Sequence, residues 1–327
     1  MRILFICPNW AGLATPIIDE MILQGHDVIH LDHGDFSNFK YFNLSHRILS
    51  KIYQLLTKES YKHRVTDLDI TRTINSFFIA RSNFDVVIIT EPSLFKREHL
   101  EVIKLHCTYL VATLWDSLTK SERSKDNLDL FNMVFSYDQE DCDRYNLIKI
   151  SNYLDPSWST NVAIEEAKYD VFSIMSFTKD RYEQVVCFLD ANPSIIPNIY
   201  FYIDTERKRK YINDSRIKVV TELMLGDELK RNIENSKAIL DLLQGHQAGL
   251  SFRVYESLGY NRKLITTNHN IFLYDIYNSD NICVLGENYK VPDKLFNTPY
   301  FECSIDTIDK YLISSWVKNI LGKCKCG

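Results

Sequence analysis

DLLQGHQAGLSFRVYESLGYNRKLITTN, residues 241–268, decides how the rest of the chain is read. It opens as a buried strand, breaks at Gly245 and Gly249, restarts as a helix in FRVYESLGY and closes as a second strand. A strand, a polar glycine turn and a helix start in that order bring free helix N–H groups, with their partial positive charge, to the end of a sheet. Such a place holds anions. Ser251 has the residue type and position of an N-cap. Arg253 can pair bidentately with phosphate oxygens, and Glu256, one turn on, can accept hydrogen bonds from a ribose diol. With Gln247, Gly249 and Leu250 these residues make a candidate phosphate cradle. The ordinary alternative is a capped helix carrying a surface Arg/Glu pair.

Working outward, SFTKDR (176–181) stands at another strand-to-helix turn and offers Ser176, Thr178 and Arg181 as a second candidate anion site, or a plain helix cap. It follows the strand-like YDVFSIMSF (169–177) and precedes the helical DRYEQVVCFLDAN (180–192). NIYFYID, IKVV, GDELKRNIENS, KAILDLL and NICVLG continue the alternation of strand and helix. The same pattern occupies the first half, in RILFICP (2–8), PIIDEMILQG (16–25), HDVIHLD (26–32), FDVVIIT (84–90), REHLEVIKLH (97–106), YLVATLWD (109–116) and NMVFSYD (132–138). Near-continuous apolar strands alternating with helices imply parallel sheets covered on both faces. The expectation is an α/β chain of two tandem Rossmann-like domains facing a cleft. Their ranges are 1–157 and 158–303, and an amphipathic helix over 304–323, capped by Ser304 and stopped at Gly322, lies in a terminal segment 304–327.

Composition narrows the function classes. The 327 residues carry a formal net charge of −5, which argues against a nucleic-acid binder. Eight cysteines, scattered through apolar contexts apart from Cys324 and Cys326 in a frayed tail, suggest core thiols rather than disulfides or zinc ligands. Met1 leads straight into a strand and no long apolar stretch follows, so a cytoplasmic location is expected.

Chemistry in the first half centres on strand ends. CPNWAG (7–12) follows the first strand and places Asn9, Trp10 and Gly12 at its carboxyl end as candidate site residues, without a G-x-G-x-x-G fingerprint. LWDS (114–117) puts Asp116 at a strand end as a candidate general base, with Trp115 beside it. Asp116 can equally cap the next segment. Glu91 and Asp138 have similar placements. The Asp-x-Asp spacings at 67–69 and 141–143 do not end apolar strands as a sugar-nucleotide metal site requires. No metal or other cofactor is expected. His246 and His269 read as loop residues.

WDS (115–117), VFSYDQED (134–141), YDVFSI with the following DR, and SKAILDLLQGHQAGLSFRVYESLGYNRKLITTN (236–268) together resemble the GT-B glycosyltransferases, in particular the bacterial surface-polysaccharide proteins of the CgeB-type group. The resemblance runs in order along most of the chain. It implies an N-terminal acceptor domain, a C-terminal nucleotide-sugar domain and a terminal helix returning to the first. It also implies that Glu256 holds the donor ribose, and that Arg253 and Arg181, rather than a metal, neutralise the leaving diphosphate. The common pattern has a second acidic residue seven positions before that glutamate, where this chain has Gly249, so retaining chemistry loses support and inversion is favoured. The substrates implied are a nucleotide-sugar and a glycan or lipid-linked acceptor. A nucleotide-sugar epimerase of the same fold and a non-catalytic nucleotide-sugar-binding protein stay open as alternatives.

One segment points to a membrane. KYFNLSHRILSKIYQLLTKESYKHR (40–64) sets six Lys and Arg against a single Glu, with leucines and isoleucines at near-helical spacing. Peripheral contact with the inner face of a membrane is one reading. The other is that the apolar stripe packs on the first sheet.

Overall fold

Apolar runs become parallel strands buried on both faces. The computed structural model describes residues 1–9, 12–36, 39–81, 83–119, 121–243 and 249–325. Two compact units emerge, Met1–Ile150 with Val317–Gly327, and Ser151–Trp316.

The first unit follows the order β1 (Arg2–Ile6), α1 (Thr15–Leu23), β2 (Asp27–Leu31), α2 (His33–Phe36), α3 (Leu44–Thr57), α4 (Tyr61–Ala80), β3 (Phe84–Ile89), α5 (Arg97–Lys104), β4 (Cys107–Leu114), α6 (Glu122–Lys125), β5 (Met133–Ser136), α7 (Gln139–Tyr145) and β6 (Ile148–Lys149). Its six strands pair in parallel in the order β2-β1-β3-β4-β5-β6. Leu4, Val87, Ile89 and Ala112 of the sheet pack with Ile70, Ile74, Phe77 and Phe78 of α4. The helical insertion between β2 and β3 therefore contributes to the core through α4.

The second unit runs β7 (Tyr169–Ser176), α8 (Lys179–Ala191), β8 (Pro197–Tyr202), β9 (Ile217–Val220), α9 (Gly226–Glu234), β10 (Ser236–Asp241), α10 (Phe252–Gly259), β11 (Lys263–Thr266), β12 (Ile282–Val284), α11 (Lys294–Asn297) and α12 (Ile305–Tyr311), with α13 (Ile313–Lys323) leading from Trp316 into the residues grouped with the first unit. Strand order is β12-β11-β10-β7-β8-β9, again parallel. Alternate residues of each strand face opposite sides. Val171, Ala238, Leu240 and Ile199 pack against Val185, Phe188 and Leu189 of α8, while Leu264 meets Val254, Tyr255 and Leu258 of α10 on the other face.

In both sheets the chain starts at an inner strand, builds one edge and then returns to build the other. The resulting switch points lie between β1 and β3 and between β7 and β10. Open α/β sheets bind ligands beyond the carboxyl ends of their strands at such points.

Three expectations about the C-terminal segment need correcting. The single helix over 304–323 is two helices, because Leu154 N–H donates to Tyr311 O (2.7 Å) and Leu154 O accepts from Ile313 N–H (3.0 Å), pulling Leu312 out of helical geometry. Ser304 does cap α12, accepting from Thr307 N–H at 3.2 Å. Gly322 is not a stop, since α13 continues to Lys323, and Cys324 is buried rather than frayed.

Candidate functional site

The sequence-predicted donor residues come from two separate strand-to-helix turns, and the fold makes these turns neighbours. β7 ends at Ser176 and β10 at Asp241, on adjacent strands flanking the switch point of the second unit. Thr178 caps α8 by accepting from Arg181 N–H (3.3 Å), and Ser251 caps α10 by accepting from Arg253 N–H (3.2 Å). Each turn thus presents a helix N-terminus with an arginine in its first turn.

The two arginines are held differently. Arg253 donates to Ile174 O on β7 (3.3 Å), which ties the two turns together, and forms an ion pair with Glu256. Glu256 is buried and Arg253 half-buried. Arg181 donates to Ser176 O (3.4 Å), but its buried Nε finds no acceptor among the described residues. Burial pulls the Arg181 guanidinium below its usual range, Asp241 opposes this, and the charge of Arg253 adds to it.

Asp241 is the residue that sequence reasoning missed. Its buried carboxylate accepts from Ser251 Oγ (2.8 Å) and Thr266 Oγ1 (3.0 Å). Burial raises its pKa, while those two hydrogen bonds and the charges of Arg253 and Arg181 pull the other way. An aspartate closing the apolar run KAILD was the available signal. The TTN sequence at 266–268 was also unread. Thr267 Oγ1 accepts from Leu243 N–H (2.9 Å), and Asn268 Nδ2 donates to Gly249 O (3.0 Å). Asn152 Nδ2 donates to Leu250 O (2.8 Å). Gly249 and Leu250 are therefore buried, pinned ends of the loop. Gln247, Gly245 and His246 lie outside the described residues.

The first unit gathers a second cluster at its own switch point. Asn9 Oδ1 accepts from Ala14 N–H (3.1 Å), and Asn9 N–H donates to Asp32 (2.9 Å), so Asn9 organises the turn into α1 rather than standing free. Gly12 sits at φ +71°, a conformation that favours glycine. Trp10 lies outside the described residues. Past β3, Glu91 Oε2 is 3.5 Å from His33 Nδ1, and past β4 Asp116 is exposed beside a half-buried Trp115. Burial raises the Glu91 pKa, the hydrogen bond from Ser93 Oγ (3.2 Å) opposes this and the charge of Asp116 adds to it, although more than half of the Glu91 side chain meets water, which limits these effects. Asp116 also acts on Tyr137, whose pKa is raised chiefly by burial. His33, absent from the sequence reading, is held down at about 4 by burial, with Asp32 pulling upward. Asp138 caps α7 through Asp141 N–H (3.2 Å), so it is structural.

The Asp-x-Asp spacings have structural partners. Asp67 pairs with Lys96 (2.6 Å) and Arg123 (3.6 Å), and Asp141 accepts from Leu118 N–H (2.6 Å). Among the described residues, no group of three or more His, Cys, Asp or Glu side chains is placed to hold a metal ion, and no helix is long and apolar enough to cross a membrane.

Neither a protein-family model nor a curated protein matches the sequence. Solved structures match the fold. An alpha-glucosyltransferase in complex with UDP and a 13-mer DNA containing a central A:G mismatch superposes with a TM-score of 0.54 at 12% identity, over 98% of this chain and 90% of that one. S. aureus MnaA, in a co-structure with UDP, gives 0.47 at 10% identity over 98% and 97% of the two chains. Acinetobacter baumannii MurG gives 0.44 at 10% identity over 98% and 99%. With its two parallel six-stranded sheets and flanking helices, the chain has the fold of the GT-B glycosyltransferases.

Proposed function

We propose that the protein transfers a sugar from a nucleotide-sugar donor to a glycan or lipid-linked acceptor in surface-polysaccharide biosynthesis, without a metal and with inversion. The observation that carries this reading is the switch point of the second unit, where Arg181 and Arg253 stand at two helix N-termini with a buried, unsatisfied guanidinium N–H among them. Two fixed cations and two helix dipoles suit a diphosphate. Glu256, one turn into α10, takes the ribose hydroxyls, and Ser176, Thr178, Gln247 and Ser251 line the donor.

Acceptor activation is assigned to the first unit, with Asp116 as base and Asn9, Trp10, Gly12, Glu91 and Trp115 on the acceptor side. In the reaction, the anomeric carbon loses its bond to the diphosphate oxygen, which leaves with the electron pair. The acceptor oxygen forms the new bond, and its proton passes to the Asp116 carboxylate. Arg253 and Arg181 stabilise the charge that grows on the departing diphosphate.

The test is incubation of the protein with a panel of nucleotide sugars, with and without lipid-linked acceptors and with and without EDTA. Acceptor-dependent nucleotide release that survives the chelator is expected. Epimerised donor without acceptor would assign the site to an epimerase, and binding with neither transfer nor slow hydrolysis would leave a binding protein.

A further inference from the structure

Helix α3 turns its apolar face away from the protein. Its one buried residue is a serine, Ser50, at 7% exposure, bonded to Tyr41 Oη at 3.2 Å. His46 and Tyr53, on the same side, pack into rings from Phe39, Tyr41 and Tyr61. On the opposite side Leu44, Ile48, Leu49, Ile52, Leu55 and Leu56 are between 47% and 83% exposed. At roughly 100° per residue these six fall in one arc centred opposite Ser50. Phe42, just before the helix, is 91% exposed.

A helix of a globular protein directs such a face to the core. A contiguous exposed apolar face of this kind marks an interaction surface. The expectation that this stripe packs on the first sheet is therefore overturned, because α4 takes that place in the core.

Charge identifies what covers it. From Phe36 to Lys58 the sequence has no Asp or Glu but carries Lys40, Arg47, Lys51 and Lys58, in a chain whose net charge is −5. Lys51 borders the apolar arc near the middle of the helix, and Arg47 lies on the same flank with its guanidinium 5.6 Å from the centre of the Tyr41 ring. Antiparallel two-fold pairing with a second copy through this face would set Lys51, near the middle of the helix, against its own counterpart. A bilayer with anionic headgroups instead takes the leucines at its acyl boundary and the cations at its phosphates. We infer that α3 docks the first unit on an anionic membrane surface through its outward apolar face. This inference stands independently of the donor-site reading.

Flotation of the full chain with phosphatidylcholine vesicles, with and without phosphatidylglycerol, tests it. Binding is expected only with phosphatidylglycerol and should weaken about tenfold between about 50 and 300 mM salt as screening shortens. Arg47→Glu with Lys51→Glu should weaken it by about tenfold or more. Ile48→Gln with Leu55→Gln should abolish it while leaving thermal unfolding unchanged, since both side chains are already exposed. No flotation with phosphatidylglycerol at low salt, or undiminished flotation of the Ile48→Gln/Leu55→Gln variant, overturns the inference. A self-association that the same variant abolishes, without vesicle binding, overturns it in favour of a second copy.

Discussion

Glu256→Ala separates two roles that the geometry allows Glu256, holding the donor ribose or only holding Arg253. Its carboxylate pairs with Arg253, with side chains 9% and 24% exposed. A carboxylate has lone pairs for more than one donor, so a ribose diol can bind without displacing the guanidinium. Loss of a charge-assisted hydrogen bond costs about 1.5–3 kcal/mol, or roughly 10- to 100-fold in affinity. Folding should suffer less, by about 1–2 kcal/mol, because Arg253 keeps Ile174 O at 3.3 Å and the nearby charge of Asp241.

Isothermal titration with a nucleoside diphosphate and its 2′,3′-dideoxy analogue gives a cycle in which one axis is the protein and the other the ligand. The wild-type protein should lose affinity for the analogue, and Glu256→Ala should bind both ligands equally and weakly. If Glu256→Ala loses the same factor for both ligands, the carboxylate acts only by positioning Arg253. If it loses nothing, the ribose assignment is wrong.

The remaining predictions concern the first unit and the packing around α10. Asp116→Asn should lower turnover by roughly 10²-fold or more with donor affinity retained, because only proton removal is lost; a fully active variant returns Asp116 to a surface role. His33 has a folded pKa of about 4 against an ordinary 6.5, so the unfolded chain takes up its proton first and stability should fall as pH drops from about 6.5 to 4, by up to about 3 kcal/mol. The raised pKa of Glu91 works in the opposite direction, and His33→Gln should flatten the slope seen in thermal melts at pH 7 and pH 5; an unchanged slope removes His33 as its source. A Cβ on Gly259 would stand 2.5 Å from Trp158 O, so Gly259→Ala should destabilise the second unit by about 1–3 kcal/mol in urea unfolding, and wild-type stability would show that Trp158 yields.

Strands were legible because burial on both faces writes itself as short continuous apolar runs, as in VVII (86–89) and AIL (238–240). The two candidate anion-binding turns were legible as caps followed by arginines, but not as neighbours, because their adjacency comes from the pairing of β10 with β7 rather than from spacing. Asp241, Thr266 and Asn268 looked like ordinary polar residues, since the partners that give them meaning come from other elements. The break at Leu312 depends on Leu154, far away in sequence. Periodicity showed that α3 has an apolar face without showing which way it points. That direction is set by what Ser50, His46 and Tyr53 find to pack against.

The unequal partners of the two arginines bear on how a diphosphate would use them. Arg253 already satisfies Glu256 and Ile174 O, so in the ground state it gains little by turning to phosphate. The interaction that favours such a turn is one that strengthens as negative charge builds on the leaving group. Arg181 has paid its desolvation already and keeps a buried Nε–H without an acceptor among the described residues, a deficit of about 1–3 kcal/mol that a phosphate oxygen would remove if the side chain turned this N–H toward it. Arg181→Ala should therefore weaken donor binding by about tenfold or more with kcat little changed, whereas Arg253→Ala should lower kcat more than it raises the donor Kd. Lysine substitution should rescue neither fully, because a point charge cannot reproduce the fork geometry. The opposite division, with Arg253→Ala acting on Kd alone and Arg181→Ala on kcat, would mean that the protein contacts of Arg253 and Arg181 do not govern how the two cations share the diphosphate.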